Sequence, residues 1–470
     1  MPRFLLCALA GLAAAALPLR AAPAAPAKPN VLFIAVDDLR DWIGYFGRNP
    51  QARTPNFDRL AKMGVAFTRA YCASPSCNPS RAALMSGLRP STSAVYENNI
   101  DFRPLIDPAL TLTTAFRQGG YYVHGAGKIY HESYRRPSEW DDYLEKEGVY
   151  PKVPAGQSEG VGGIKFAPLD CRDDELPDWK IADYAIAALA KPQAKPFFLA
   201  VGFHKPHMPW NVPRKYFDLF PLASIKLPPH LENDLADVPP AGVAMARPQG
   251  DHAAMLESGR WKEAVQAYLA TIAYCDMNLG RLLDALEQSP HRANTIVCLW
   301  GDHGWHLGEK NHWRKFALWE EATRAPFIWI APGITKPGTL CDRPVDFMGI
   351  YPTLADLCGL PVPAHVEGRS LRPLLADPQT KWDLPAVTTY RYKNHTVRSA
   401  GWRYIRYANG DQELYDETAD PNEYVNLAAK PEHAARIAEL ARYLPKTDAA
   451  ETEPPAQGNK QAGNKKKKAE

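Results

Sequence analysis

The chain has 470 residues, a net charge of +3 and a hydrophobic content of 46%. These values are ordinary for a globular protein, and the length allows one large domain plus a smaller one. The small net charge argues against a nucleic-acid-binding protein, which would carry a basic stripe. The main basic run, 465–468, ends a polar segment that contains Pro and Gly, so we predict a disordered tail over 447–470.

The N-terminus has the pattern of a secretory signal peptide over residues 1–27. Arg3 supplies the positive start, and the apolar run 4–17 is too short to span a bilayer. No later segment is long and apolar enough to cross a membrane. We therefore expect an exported protein, periplasmic or extracellular, without a membrane span. The chain has eight cysteines, of which Cys7 lies in the predicted signal peptide and Cys77 lies in a motif described below. The other six are an even number, which permits disulfides in an exported protein.

Short apolar runs alternate with helical patterns along most of the chain. The runs predict buried strands at 31–36, 121–126, 197–203, 296–300 and 326–332, and amphipathic spacing predicts helices at 54–63, 110–118 and 261–287. This alternation is typical of an α/β fold, in which helices cover both faces of a mixed, mostly parallel sheet. We predict one main domain over 28–378, with a proline-rich irregular excursion at 208–248.

A different pattern follows the main domain. Four short strands are predicted at 386–390, 395–399, 402–407 and 412–415, and a helix at 431–443. Gly401 and Gly410 lie at the predicted turns between strands. We therefore expect a small C-terminal subdomain over 379–446, built from an antiparallel sheet and one helix.

Polar residues follow the predicted strands of the main domain at the point where each strand ends. Asp37 and Asp38 follow the first strand, and Lys128, His204 and the pair at 302–303 follow later ones. Ligands of open α/β sheets bind beyond the carboxyl ends of the strands. Each of these residues alone could belong to an ordinary turn. Their shared position predicts one common site.

The segment 77–87 reads CNPSRAALMSG. It resembles the signature C-x-P-S-R-x-x-x-[LM]-[TS]-G of the type I sulfatases. A lone cysteine would favour a small, inert core residue, but the Pro, Ser, Arg and Gly around Cys77 favour a nucleophile. The resemblance implies that a formylglycine-generating enzyme oxidises Cys77 to formylglycine. The hydrated aldehyde then attacks the sulfur of a sulfate ester, which is covalent catalysis.

The resemblance also implies the other residues of the site. One Ca²⁺ would be held by carboxylate oxygens, which suit a hard cation, and by the modified cysteine. The implied metal ligands are Asp37, Asp38, Cys77, Asp302 and His303. The implied catalytic residues are Cys77, Arg81, Lys128, His131, His204 and Lys315, with His204 as the general acid.

The shared motifs are most similar to the iduronate-2-sulfatase branch of the alkaline-phosphatase-like superfamily. They include the Lys-x-x-His spacing from Lys128 to His131 and a histidine at position 303. This similarity implies a sulfated carbohydrate substrate with a 2-sulfated uronic acid, whose carboxylate could meet Arg314 or Lys310. Three alternatives remain: a sulfatase of other, for example algal, polysaccharides; a phosphate or phosphonate monoester hydrolase on the same scaffold; and a non-catalytic binder of sulfated glycans.

Overall fold

The structure is a computed structural model that describes residues 28–131, 134–157 and 159–452. The predicted signal peptide and residues 453–470 lie outside the described residues. The strands are β1 (Asn30–Val36), β2 (Val65–Phe67), β3 (Ala70–Tyr71), β4 (Tyr122–Gly127), β5 (Asp142–Tyr143), β6 (Phe197–Phe203), β7 (Thr295–Gly301), β8 (His306–Leu307), β9 (Trp313–Arg314), β10 (Phe327–Ile330), β11 (Thr339–Cys341), β12 (Val345–Asp346), β13 (Ala386–Thr389), β14 (His395–Arg398), β15 (Trp402–Arg406) and β16 (Gln412–Asp416).

The helices alternate with these strands in the main domain and recur once at the end of the small subdomain. They are α1 (Pro55–Met63), α2 (Cys77–Ser86), α3 (Pro90–Ser93), α4 (Leu112–Gln118), α5 (Pro177–Ala190), α6 (Arg214–Asp218), α7 (Pro240–Ala246), α8 (Asp251–Ser258), α9 (Trp261–Gln288), α10 (Glu320–Thr323), α11 (Ile350–Leu357), α12 (Arg372–Ala376) and α13 (Ala434–Ala441). The segment predicted to be irregular therefore contains α6 and α7.

The main sheet has eight strands in the order β11-β2-β10-β7-β1-β6-β4-β5. Both pairs that involve β10 are antiparallel, and the other neighbouring strands are parallel. This arrangement confirms the predicted mixed, mostly parallel sheet. The strands β2, β5 and β11 were not predicted, because runs of two or three residues carry too little hydrophobic pattern to be recognised.

Apolar side chains of β1 alternate between two cores. Ile34 and Val36 belong to a buried cluster that includes side chains of α1, α5 and α9. Phe33 and Ala35 point to the opposite face, where the cluster includes side chains of α2, α4 and α11. Each large apolar side chain buried in this way contributes about 1.5–3 kcal/mol to folding. The central strand is therefore held from both faces, and its carboxyl end is a rigid platform.

The strand register brings the predicted site together at one edge of the sheet. Val36 lies beside Phe203 on one neighbouring strand and beside Gly301 on the other. Gly127 at the end of β4 lies beside Gly202 of β6. Because these parallel strands end at the same level, the residues that follow them in sequence start from adjacent points.

The small subdomain is an antiparallel sheet of β13, β14, β15 and β16 in chain order, with α13 against it. The predicted antiparallel sheet is confirmed, and the predicted boundary at 378 falls in the connection between α12 and β13. The first residues of the predicted disordered tail contact the main domain. The Ala449 N–H donates to the Ser91 carbonyl, and the Tyr96 hydroxyl donates to the Ala449 carbonyl. A tail that starts at 447 is therefore placed too early.

Two further findings bear on the sequence predictions. No helix in the described part of the chain is long and apolar enough to cross a membrane. The seven described cysteines have free thiols, so the disulfides that their number permits are not formed among these residues. Cys298, for example, is fully buried in β7 as a core thiol.

Candidate active site

Cys77 is the first residue of α2 and lies at the carboxyl ends of the central strands. It is fully buried, and its Sγ lies 3.4 Å from His303 Nε2 and 3.8 Å from Asp38 Oδ1. The Lys315 Nζ donates to it at 2.9 Å. The helix is anchored to the β7 end by Ser80, whose hydroxyl donates to the Asp302 carbonyl at 2.6 Å. The sequence motif therefore directs its cysteine to the strand ends.

Five potential metal ligands converge at this point. One ligand atom from each lies within 4.8 Å of the others, and all five residues are buried: Asp37, Asp38, Cys77, Asp302 and His303. The His303 Nδ1 lies 2.9 Å from the Gly304 carbonyl; if it donates there, the Nε2 lone pair faces the cluster, as in a histidine that binds a metal.

Among the described residues, Asp38 Oδ2 has no hydrogen-bond partner. A buried carboxylate oxygen without a partner is costly, and a cation would satisfy it. The other oxygens of the cluster are the hard donors that Ca²⁺ and Mg²⁺ prefer. The residues present therefore fit a hard divalent cation, as the sequence analysis expected.

Arg81 connects three of the strand ends. Its Nε donates to Asp302 Oδ2 at 3.0 Å and one Nη donates to Asp37 Oδ1 at 3.1 Å, while the other Nη donates to the Lys128 carbonyl. The side chain is fully buried and lies over the ring of Trp300. Although burial opposes the charge, Asp302 and Asp37 raise the pKa of Arg81. The guanidinium therefore holds both carboxylates in position.

Two lysines place positive charge beside the cysteine. Lys128 Nζ pairs with Asp37 Oδ2, and Lys315 Nζ lies 2.7 Å from Asp38 Oδ1. Burial favours a neutral amine, but Asp38 and Cys77 outweigh it and raise the pKa of Lys315 above its ordinary value. Both ammonium groups can therefore stabilise negative charge on a bound anion.

The structure distinguishes the two histidines that follow β6. The predicted acid, His204, has its Nε2 2.8 Å from Glu147 Oε2, and its backbone N–H donates to Asp178. A turn reverses the chain after it, and His207 Nε2 lies 3.9 Å from Asp38 Oδ2. His207 therefore faces the metal ligands, whereas the imidazole of His204 is bound to Glu147. The sequence predictions did not include His207 in the site.

His131 and the cysteine thiol are both affected by burial. Burial, with a smaller contribution from the charge of Lys128, lowers the pKa of His131 to about 3. Burial, followed by the charge of Asp37, raises the pKa of the Cys77 thiol well above its ordinary value. As a thiol, residue 77 is therefore protonated at neutral pH and is a poor nucleophile.

A cavity of about 760 Å³ is lined by Ser76, Trp313 and Phe316 among others, and Ser76 and Phe316 adjoin Cys77 and Lys315 in sequence. Arg314, one of the two side chains expected to meet a substrate carboxylate, also lines it. The other, Lys310, is buried, with its Nζ 2.8 Å from Asp234 Oδ1. The expectation for Lys310 is wrong, because its charge is already neutralised inside the protein.

Known protein families and proteins match both the main domain and the small subdomain of the chain. The profile of the sulfatase family matches residues 29–360, and the profile described as N-sulphoglucosamine sulphohydrolase, C-terminal, matches residues 308–450. A protein named sulfatase from Formosa agariphila is 41% identical, over 90% of this chain and 87% of that protein. Human iduronate 2-sulfatase is 32% identical, over 71% of this chain and 70% of its own.

A Delta 4,5-hexuronate-2-O-sulfatase from Bacteroides thetaiotaomicron is 29% identical, over 89% of this chain and 88% of that protein. Among solved structures, the phosphonate monoester hydrolase of Agrobacterium radiobacter has a TM-score of 0.74 and 25% identity, with coverage of 89% and 95%. A 2-O GAG sulfatase has a TM-score of 0.67 and 26% identity, with coverage of 88% and 90%. The matches thus span the main domain and the small subdomain.

Proposed function

Because this chain belongs to the sulfatase family, we propose that it hydrolyses the 2-sulfate of a uronic acid in a sulfated carbohydrate. The chain is a type I sulfatase of the alkaline-phosphatase-like superfamily and a sulfuric ester hydrolase. The observation that carries the proposal is the convergence of Cys77 with the four other potential metal ligands and two lysines.

The residues around Cys77 have separate roles in this proposal. The cluster of Asp37, Asp38, Asp302 and His303 would hold Ca²⁺. Formylglycine at position 77 and the cation would together supply an activated hydroxyl and positive charge for a sulfate oxygen. Lys128 and Lys315 stabilise the charge that develops on the other sulfate oxygens.

The predicted general acid, His204, is the residue we propose to protonate the departing sugar oxygen. Its Nε2 lies 2.8 Å from Glu147 Oε2, a contact that fixes the ring orientation. Burial lowers the pKa of the neighbouring His207 to about 4, so that imidazole is not protonated at neutral pH. General acids contribute roughly 10²–10⁴ in rate. We expect His204→Ala to slow hydrolysis of a sugar sulfate by about 10² or more, and an aryl sulfate far less, because a phenolate leaves without a proton. His207→Ala is the matched control, and an equal loss in both variants would contradict the assignment.

Uronate is the proposed substrate class for two reasons. The relatives named iduronate 2-sulfatase and Delta 4,5-hexuronate-2-O-sulfatase share most of their length with this chain. The cavity also contains arginines that suit a carboxylate. The decisive measurement is kcat/KM for a 2-sulfated uronate disaccharide beside its carboxyl-reduced analogue. Equal values would mean that the carboxylate is not recognised, and the uronate assignment would fall.

A second candidate is a phosphonate monoester hydrolase, which the similarity to the Agrobacterium radiobacter enzyme favours. Relative rates on matched sulfate and phosphonate esters separate the two reactions. Another relative is an ulvan-active sulfatase, 29% identical over 90% of this chain, so algal polysaccharides belong in the same panel. If the purified protein binds these glycans but does not hydrolyse them, the non-catalytic alternative is supported.

Export and maturation complete the proposal. We propose that residues 1–27 direct the chain out of the cytoplasm and are removed, and that a formylglycine-generating enzyme modifies Cys77. Mass spectrometry of the purified protein tests both points. The first residue of the mature chain should fall after the apolar run 4–17, and the peptide with residue 77 should carry an aldehyde that a hydrazide traps.

A further inference from the structure

Three arginines line the cavity that Ser76, the neighbour of Cys77 in sequence, also lines, and all three have a left-handed backbone. The φ angles are 52° at Arg247, 76° at Arg314 and 57° at Arg391. Only ten non-glycine residues of the described chain have a positive φ. Residues with side chains adopt this region at an energetic cost, and such strain concentrates at sites where the side chain is used. The three arginine side chains are therefore held in the cavity wall by a backbone conformation that costs energy.

Two of the three arginines are already paired with carboxylates. Arg314 Nε lies 2.6 Å from Asp251 Oδ2, and Arg391 Nε lies 3.1 Å from Glu97 Oε1. Gly163 leaves room for the first of these, because a Cβ at this position would lie 1.8 Å from the Arg314 guanidinium. These two pairs are neutral overall and form part of the cavity wall.

Arg247 differs from the other two. In the described part of the chain its guanidinium has no ion pair and no hydrogen bond, and the residue is exposed to the cavity. The lining contains three arginines and two acidic residues, and the two acidic residues are paired with Arg314 and Arg391. The positive charge of Arg247 therefore has no acidic partner in the lining. A positive charge in a concave site attracts an anion.

The position of Arg247 in the fold gives independent support. It follows the last residue of α7 and caps this helix, with its N–H donating to the Val243 carbonyl at 3.1 Å. Glycine is the usual residue at a left-handed helix end because it has no Cβ. The cap needs only the backbone, so the end of the helix gives no reason for an arginine here.

We propose that Arg247 is a specificity-determining residue that binds a second anionic group, a carboxylate or sulfate, of the sugar whose scissile sulfate lies at residue 77. This inference rests on the proposed function and names the residue that recognises the second anionic group of the substrate. A guanidinium binds a carboxylate or sulfate through two parallel hydrogen bonds. A sugar without that group would leave the charge unpaired.

The test compares Arg247→Gln, Arg247→Lys and Arg247→Gly with a control, Arg292→Gln, an exposed residue just before the amino end of β7. The substrates are the 2-sulfated uronate disaccharide, its carboxyl-reduced analogue and 4-nitrophenyl sulfate. For the disaccharide, Arg247→Gln should lower kcat/KM by about 10–100-fold, as expected when one charged hydrogen-bonding group is lost. Arg247→Lys should recover part of this loss. For the two substrates that lack the carboxylate, kcat/KM of Arg247→Gln should change less than about threefold, and all three values of Arg292→Gln should do the same.

Arg247→Gly gives a readout that a structural role would not produce. Glycine relieves the left-handed backbone, so the melting temperature should rise while kcat/KM for the disaccharide falls. An equal loss on all three substrates, or no loss on the disaccharide, would overturn the proposal.

The outcome remains interpretable if the proposed function fails. If the wild-type protein prefers another sulfated sugar with a second anionic group, the same comparison is made with that sugar and its analogue without that group. If it hydrolyses no sulfate ester, the proposed function is wrong, and calorimetric binding of the sulfated disaccharide decides the role of Arg247. A Kd that is at least tenfold weaker in Arg247→Gln supports the inference, and an unchanged Kd or no binding by the wild type overturns it.

Discussion

Two groups of buried acidic residues in the described chain are each close enough together to hold a metal ion, and their surroundings differ. The strand-end cluster contains Asp37, Asp38 and Asp302 with Cys77 and His303, and the interdomain cluster contains Glu320, Glu417 and Glu423. In each cluster the potential ligand atoms lie within 4.8 Å of one another. By this criterion alone, either could hold a metal ion.

In the interdomain cluster, the partners of the carboxylates are mainly guanidinium groups. Glu320 Oε2 accepts from Arg398 Nε at 3.0 Å and from Arg403, and Arg403 Nε also lies 3.2 Å from Glu417 Oε1 and 2.5 Å from Glu423 Oε1. Arg403 is fully buried. Guanidinium forks match carboxylates in shape and charge, so the cluster joins α10 of the main domain to the small sheet.

The strand-end cluster combines one arginine with two lysines and an imidazole. Ser76, the residue before Cys77, lines a cavity. A lysine ammonium is a compact point charge on a flexible stem and does not saturate a carboxylate as a guanidinium does. The comparison shows that the cationic partners, more than the spacing of the acids, distinguish a structural charge cluster from a site for a cation and substrate.

The largest expected effect separates catalysis from folding at the strand-end cluster. We expect Cys77→Ala to lower kcat by roughly 10⁴–10⁶, as the loss of a covalent nucleophile does, with an unchanged melting temperature. Cys72→Ala, a second fully buried cysteine, is the matched control and should stay active. Turnover of a sulfate ester by purified Cys77→Ala near the wild-type rate would rule out residue 77 as the nucleophile.

In the interdomain cluster we expect the opposite result, a loss of stability without a loss of activity. Arg403→Ala leaves buried carboxylates without their partner, and we expect the free energy of unfolding to fall by about 3–5 kcal/mol. Activity measured well below the melting temperature should stay near wild type. Arg436→Ala, which removes an exposed pair with Glu439 in α13, should cost less than about 1 kcal/mol. Similar losses in the two variants, measured by urea unfolding, would contradict the structural role.

Cation removal should affect one cluster only. We expect a chelator to lower activity by about 10²–10³, because the charge that stabilises the developing anion is lost. Asp38→Asn should reduce bound Ca²⁺, whereas Glu417→Gln in the interdomain cluster should leave it unchanged, as elemental analysis would show. Stoichiometric zinc in place of Ca²⁺ or Mg²⁺ would overturn the assignment of a hard cation.

The smallest effect tests the difference between arginine and lysine directly. Arg398→Lys keeps the charge beside Glu320 but loses the fork that also reaches Glu417, at 3.1 Å. We expect the free energy of unfolding to decrease by about 1–2 kcal/mol. An unchanged unfolding midpoint would mean that charge alone holds the interdomain cluster.

Much of this arrangement could be predicted from the sequence, because the central strands have strong patterns. The predicted strands at 31–36, 197–203 and 296–300 agree with β1, β6 and β7 to within one residue. The structure brings the five predicted metal ligands together for the same reason, since each follows or faces a strand end. The helix α5 was missed because its buried face is rich in alanine, which gives a weak hydrophobic signal.

Other features depended on side-chain direction, which sequence spacing does not determine. His204 and His207 both follow β6, and only the turn between them decides which imidazole faces Asp38. Lys310 and Arg314 lie on one short segment, yet the first is buried against Asp234 and the second lines the cavity. The left-handed backbone at Arg247 likewise leaves no mark in composition or periodicity.

The central position of β1 determines how late during synthesis the main sheet can be completed. β1 starts at residue 30 and completes its pairing only with β7, which ends at residue 301. At roughly 5–20 residues per second, a ribosome needs about 15–50 s to make the intervening chain. During that interval the segment that becomes α2 has no finished sheet to pack against, and Cys77 stays accessible. After folding it is fully buried. We therefore expect an enzyme that modifies Cys77 to act on the nascent or unfolded chain.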